Sequence, residues 1–398
     1  MGGVVSGPTG GAADIHPGDA VALAAALVRV DSRNPSLVPG GPGEREAALL
    51  LADVLRAWGL RVEMHDAAPG RPNVVARAGR ARATAPTLMF NGHLDVVGVE
   101  GMEHAPFAAE RRGGRLYGRG AADMKAGVAA MCAAAWRAAQ AGIDGEVVVA
   151  AVADEEFESV GTRALIAHGV RADAAVVTEP TRLALNPAHR GFAWVEVQLR
   201  GRAAHGSRYD LGVDAIRHAG LLLAELDALD ARDLHVRTHP LLGRASLHAS
   251  TIGGGTGWST YPEQCTLRLE RRTLPGETAA DAVREVEAAC ARVRARRPSF
   301  DAGVTLAGHQ GPSDVAVDAP LCVALGAALA ECGEAAGVEG MSAWTDAALL
   351  NDAGVPAVCF GPGDIRLAHA AEEWVEVAEI ERATAVLERL ARAWCGST

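Results

Sequence analysis

The stretch "GEVVVAAVADEEFESVGTRALIAHG", residues 145–169, confines the fold more than any other part of the chain. Its first half is a short run of small apolar residues bounded by Gly145, the pattern of a fully buried strand. Its second half has helical spacing and stops at Gly169, a residue suited to the left-handed turn that ends a helix. Another short apolar run, "DAAVVTEP", follows and is stopped by Pro180. Continuous apolar strands separated by helices belong in a largely parallel sheet covered on both faces. The same stretch poses a problem, because its apolar run ends in Asp154, Glu155 and Glu156. Adjacent carboxylates repel one another and are costly to desolvate. Either the turn is solvated or positive charge sits beside it.

The pattern extends in both directions. Helical spacing is read at 16–30, 44–58 and 124–141, and strands at 60–65, 73–78 and 86–91. From about residue 191, "GFAWVEVQLRGRAAHGS" alternates apolar and polar residues, as a half-exposed antiparallel strand does. A helix at about 211–229, strands near 245–252 and 263–272, and a helix at about 277–296 follow. Beyond about 305 the buried pattern returns, with a helix at 318–336, a strand "VPAVCF" and a closing helix at 376–394. The expectation is an α/β chain of two domains. Residues 1–190 and 305–398 form a catalytic domain with a mixed, mostly parallel sheet and helices on both faces. Residues 191–304 form an inserted α+β domain with an antiparallel sheet. The Gly-rich residues 1–14 are expected to be disordered.

Composition narrows the function. A chain of 398 residues is ample for a sizeable core. A net charge of -11 with no basic run argues against nucleic acid or an anionic membrane as partner. No apolar run approaches the ~18 residues of a membrane span, and the start lacks a positive leader followed by an apolar core. Seven cysteines, with no Cys-x-x-Cys, fit free thiols in a reducing compartment, so a cytoplasmic location is expected.

The polar residues at the strand ends carry the chemistry. "NGHLDVV" sets His93 and Asp95 two apart, on one side of an extended segment. That suits a metal ligand whose second ring nitrogen is held by an acid. "GRGAADMKAG" sets Asp123 on a Gly-rich turn. A dinucleotide fingerprint fails there, because its sixth position is Asp123, which would repel phosphate. Glu179 closes "VVTEP", and His369 follows the Gly/Pro loop in "GPGDIRLAHAAEEW". With Glu155 and Glu156, these residues lie where loops leave apolar strands, and in open α/β sheets such ends share one edge. Two histidines and several carboxylates gathered there call for cations.

The ordered set "GHLDVV", "GRGAADMKAG", "DEEFESVGT", "EPT", "GRAAHGS", "RRTLPGE" and "GPGD…AH", spread over about residues 16–395, resembles the two-zinc metallohydrolases. That family includes aminoacylases, acetylornithine deacetylase, succinyl-diaminopimelate desuccinylase and glutamate carboxypeptidases. The resemblance implies that His93 and Glu179 hold one metal, Glu156 and His369 the other, and Asp123 bridges both, with a cis peptide after it. Asp95 would orient His93, and Glu155 would be the general base toward a water shared by the two ions. His205 would donate to the oxyanion. It can reach the metals only if the inserted domain folds over as a lid or a partner subunit supplies it, which leaves a homodimer through that domain open. Arg272 would clamp a substrate carboxylate, with Arg271 left to solvent. Ser259 stands where many members carry Asn, which puts the contacts at that end in question. The implied reaction is hydrolysis of the amide bond of an N-acyl amino acid or short peptide. The implied cofactor is two Zn²⁺, with Co²⁺ or Mn²⁺ as alternatives because ligand type does not separate them. An N-carbamoyl-amino-acid hydrolase on the same scaffold, or a non-catalytic binding protein of the same fold, are the other readings.

Overall fold

The computed structural model describes residues 14–335 and 337–396, so all but the last of the residues expected to be disordered lie outside it. The chain divides into two compact units. One takes in the chain up to Pro187, Val315–Glu339 and Thr345 onward; the other takes in Ala188–Asp314 and Gly340–Trp344.

The first unit is built on strands β1 (Arg61–Ala68), β2 (Arg71–Gly79), β3 (Thr87–His93), β4 (Glu146–Val152), β5 (Ala174–Val177) and β6 (Leu185–His189), whose last residues pass into the second unit. A later strand, Ala357–Cys359, enters between β5 and β6, giving the order β1-β2-β4-β3-β5, then Ala357–Cys359, then β6. The central strands β4, β3, β5 and Ala357–Cys359 run parallel. Strands β1 and β2 extend one side antiparallel. Every residue of β4 is buried, which is why Val147–Val152 reads as an unbroken apolar run rather than an alternation.

Helices cover this sheet: α1 (Ala20–Val28), α2 (Arg45–Ala57), α3 (Ala126–Gln140), α4 (Val160–Ala167) and the closing helix Val377–Cys395. Residues 126–135 of α3 are all buried, and small side chains let it seat closely. A Cβ at Gly127 would lie 1.9 Å from the Thr178 carbonyl oxygen, so any larger residue there would push the helix off β5.

The register sets the site. His93 at the end of β3 lies level with Val152 of β4, and Val177 of β5 lies level with Asn91 of β3 and with Cys359. Four parallel strands therefore release the chain at one edge, and Asp154–Glu156 and Glu179 follow directly from two of them.

The second unit carries four antiparallel strands, β7 (Gly191–Arg200), β8 (Ser246–Gly254), β9 (Gln264–Thr273) and β10 (Asp301–Gln310), in the order β8-β9-β7-β10. Helices α5 (Ala215–Leu229) and α6 (Ala279–Arg296) pack on one face, over Val195, Val197, Leu199, Leu267 and Leu269. A reciprocal cap between Thr278 and Asp281 starts α6. Strand β10 was not anticipated. Nine of the ten residues of Asp301–Gln310 are exposed or half-exposed, so the alternation that marks β7 is weak there.

Candidate metal centre

The first unit brings seven of the expected residues together: His93, Asp95, Asp123, Glu155, Glu156, Glu179 and His369. His93 Nε2 lies 3.1 Å from Asp123 Oδ1, while His369 Nε2 lies 3.5 Å from Asp123 Oδ2 and 2.9 Å from Glu156 Oε2. One carboxylate thus turns its two oxygens to two different imidazoles. Glu155 Oε2 approaches His93 Nε2 at 3.9 Å. Ligand atoms of His93, Glu155 and Glu179 lie within 4.8 Å of one another, as do those of His93, Asp123 and Glu156. The peptide between Asp123 and Met124 is cis.

Local structure fixes each side chain. Asp123 sits on a turn whose N–H groups at Ala122 and Asp123 both donate to Glu373 Oε1, at 3.0 and 3.1 Å. The other oxygen of Glu373 accepts from Arg119 Nη1 at 2.7 Å. His93 Nδ1 lies 3.0 Å from the Asp95 carbonyl oxygen and 3.6 Å from its carboxylate, so the backbone is the nearer partner. The Asp95 carboxylate instead accepts from the N–H of Glu155 at 3.1 Å, the N–H of Glu156 at 3.2 Å and Asn34 Nδ2 at 2.8 Å. One acid therefore pins both consecutive glutamates. Asp154 is the turn residue, with a φ of 68°, and is also buried and paired with Arg71 Nη1 at 2.7 Å. Arg71 reaches the buried Glu44 as well.

The electrostatics call for positive charge. Burial, joined by the Glu179 charge, pushes Glu155 well above the usual carboxylate range; burial and the Asp123 charge do the same to Glu179. Burial also raises Asp95, to about 6, against the pull of His93. His369 is raised to about 9, first by its hydrogen bond to Glu156. Oxygen Oε1 of the buried Glu179 has no hydrogen-bond partner among the described residues. An orphaned buried carboxylate oxygen is costly, and a cation would relieve it. Once ionised, Asp123, Glu155, Glu156 and Glu179 would carry four negative charges, which two divalent ions would balance with both imidazoles neutral. The donor set of imidazole and carboxylate suits zinc, cobalt or manganese.

Three residues that matter here escaped the sequence reading: Glu373, Asn34 and Asp346. Asp346 is buried, accepts from Thr162 Oγ1 at 2.6 Å, and is raised by burial to about 6. Only Glu373 left a trace, as the second of two adjacent acids, Glu372 and Glu373, that follow His369 in the same motif.

The remaining expected residues lie in the second unit. His205 is exposed, 2.8 Å from Ser207 Oγ, and bridges to Thr260. Ser259 presents its carbonyl to the Gly206 N–H at 2.7 Å. Arg271, expected to face solvent, is buried instead, bound to Glu277 at 2.7 Å and Glu285 at 3.0 Å. Alternation along β9 turns Arg271 inward and leaves Arg272 on the open face.

Residues 89–393 match the family described as Peptidase family M20/M25/M40. The chain belongs to that family and is a metal-dependent hydrolase of amide bonds in N-acyl amino acids or peptides. It is 31% identical over 338 residues to acetylornithine deacetylase of Myxococcus xanthus, covering 84% of this chain and 87% of that one. It is 27% identical over 375 residues to N-formyl-4-amino-5-aminomethyl-2-methylpyrimidine deformylase of Bacillus subtilis, covering 87% and 88%. Its fold matches that of the YXEP protein of Bacillus subtilis, described as a dinuclear metal binding peptidase, with a TM-score of 0.73 at 16% identity over 94% of this chain and 97% of that one.

Proposed function

We propose that the chain hydrolyses the amide bond of an N-acyl amino acid at a centre of two zinc ions. The observation that carries this is the Asp123 carboxylate, with one oxygen toward His93 and the other toward His369. His93 and Glu179 would hold one ion, Glu156 and His369 the other, and Asp123 both. Bound there, the ions would acidify the attacking water and polarise the scissile carbonyl. Glu155 takes the proton from that water as it adds to the carbonyl carbon, and passes it to the leaving nitrogen as the C–N bond breaks. Asp95 keeps Glu155 and Glu156 diverging from adjacent positions through their two N–H groups.

His205 is the donor to the oxyanion, and Arg272 takes the substrate carboxylate in a bidentate grip. Exposed apolar side chains near His205 in sequence or strand pairing, Tyr209, Leu211 and Trp258, suit cover by a second copy of the chain. We therefore read the second unit as a lid and dimerisation domain. The seven unpaired cysteines favour the cytoplasm. No helix among the described residues is long and apolar enough to cross a membrane.

The test is a screen of the zinc- or cobalt-loaded enzyme against N-acetyl, N-succinyl, N-formyl and N-carbamoyl amino acids and dipeptides. Release of free amino acid from an N-acyl substrate supports the reading. The N-formyl aminomethylpyrimidine named for the Bacillus subtilis relative is assayed beside them, and turnover of that compound alone would replace the reading.

A further inference from the structure

On the face of the second unit's sheet turned away from α5 and α6, four side chains form a cluster. Phe192 and Trp194 stand two apart on β7, and Arg272 and Glu270 stand directly opposite them on β9. The Phe192 and Trp194 rings lie with centroids 4.7 Å apart at 31°. Glu270 uses both oxygens to hold the group, one on Arg272 Nε at 2.6 Å and the other on Trp194 Nε1 at 3.0 Å. The Arg272 guanidinium sits over the Phe192 ring, 5.7 Å from its centroid, and its two Nη groups make no hydrogen bond among the described residues. On the far side of β7 the position opposite Trp194 is Gly308, where a Cβ would come within 3.0 Å of the indole. Trp194 nevertheless remains 39% exposed. A large aromatic ring, fixed by a hydrogen bond, stacked on a second ring and still open to solvent, is a binding surface rather than core.

The charge around the cluster restricts what can lie on it. Arg190, two residues before Phe192, donates to the Leu242 carbonyl and has no carboxylate partner among the described residues. Its Nε is buried without a hydrogen bond among the described residues. Burial, then the charges of Arg272 and Arg244, hold it below the usual guanidinium range, so the guanidinium groups are near enough to repel. A carboxylate gains from such a place, and an ammonium loses.

We propose that Phe192 and Trp194 form a specificity platform for the side chain of the amino acid whose carboxylate Arg272 holds, selecting N-acyl derivatives of aromatic and large apolar amino acids over cationic ones. This rests on the reading of Arg272 as the carboxylate clamp. The chemistry differs from that of the acetylornithine enzyme, whose substrate carries an ammonium on its side chain.

The test compares kcat/KM for N-acetyl-L-phenylalanine, N-acetyl-L-alanine, N-acetyl-L-ornithine and N-acetyl-L-glutamate. The platform predicts phenylalanine over alanine by about ten-fold, the scale of an aromatic pair, with ornithine below both. In Trp194→Ala the phenylalanine-to-alanine ratio falls to about three-fold or less, and in Trp194→Phe, which keeps a stacking ring, at least half of it survives. Equal rates for phenylalanine and alanine, a preference for ornithine or glutamate, an unchanged ratio in Trp194→Ala, or equal loss in both variants overturns the proposal. If no N-acyl amino acid is hydrolysed, the proposed reaction fails instead. Calorimetric titration with N-acetyl-L-phenylalanine and N-acetyl-L-ornithine then decides the platform alone: tighter binding of the aromatic compound supports it, and equal or weaker binding overturns it.

Discussion

Replacing Glu373 with Ala should damage the metal centre from behind, without touching any proposed ligand. In the folded chain its carboxylate answers three donors: the N–H groups of Ala122 and Asp123, and the guanidinium of Arg119. Both Glu373 and Arg119 are buried. Removing one partner of a buried pair costs about 3–5 kcal/mol, because the remaining charge is left without compensation. Each orphaned N–H adds about 1 kcal/mol or more unless water enters. A total near 5 kcal/mol should lower the melting temperature of the first unit by roughly 5–10 °C, given the unfolding entropy of a domain its size. The loss should also reach function, since the two N–H groups fix the turn that aims Asp123. Metal affinity should fall by about 10–100-fold, the usual scale for losing a group that orients a ligand. Differential scanning calorimetry and a competition titration with a chelator measure the two effects. Pairing Glu373→Gln with Arg119→Met removes the stranded charge and keeps an oxygen for the N–H groups, so it should restore at least half of the lost stability. A Glu373→Ala protein that melts and binds metal like the parent would refute this account of the turn.

Asp95→Asn places an amide group against the N–H donors of Glu155 or Glu156, so metal affinity should drop by about 10–100-fold and kcat/KM by more; equal values in a chelator titration and a rate assay would contradict it. Arg271→Ala should destabilise the second unit by about 3–5 kcal/mol in urea melts, whereas Arg272→Ala should leave the midpoint within about 0.5 kcal/mol and raise KM for carboxylate-bearing substrates. His189 is buried, has no partner for Nε2 among the described residues, and is held down to about 4 by burial, so it folds neutral. Its folded value lies below the unfolded 6.5, so its contribution is intact above pH 6.5 and is lost as the pH falls toward 4, by up to about 3 kcal/mol. The difference in urea midpoint between the parent and His189→Gln should therefore change across that window and not between pH 7 and 8.

The strands and helices of the first unit were legible because burial on both faces writes itself as local composition. β4 from Val147 onward and the whole of β5 are unbroken apolar runs, and α4 is followed by Gly169. The site acids were legible because they interrupt those runs where the register releases the chain. Partners set by long-range contact were not. Asn34 reaches Asp95 across 61 positions and Asp154 across 120, and Glu373 reaches the Asp123 turn across 250. No local pattern encodes such pairs. Nor did the sequence show that Arg271, expected to face solvent, is buried, because that depends on which way β9 faces; the structure turns it onto Glu277 and Glu285. Asp154 shows the same limit: its turn geometry was expected, but its burial against Arg71 was not.

The central claim is that Glu155 moves the proton while its neighbour Glu156 holds metal. Glu155→Gln separates the two roles, because the amide keeps the size of the side chain but cannot take a proton at working pH. Metal content and kcat should be measured on the same preparation. The account predicts two equivalents of metal per chain, as in the parent, with kcat reduced by at least about 10²-fold. Full metal with near-parental kcat would contradict it.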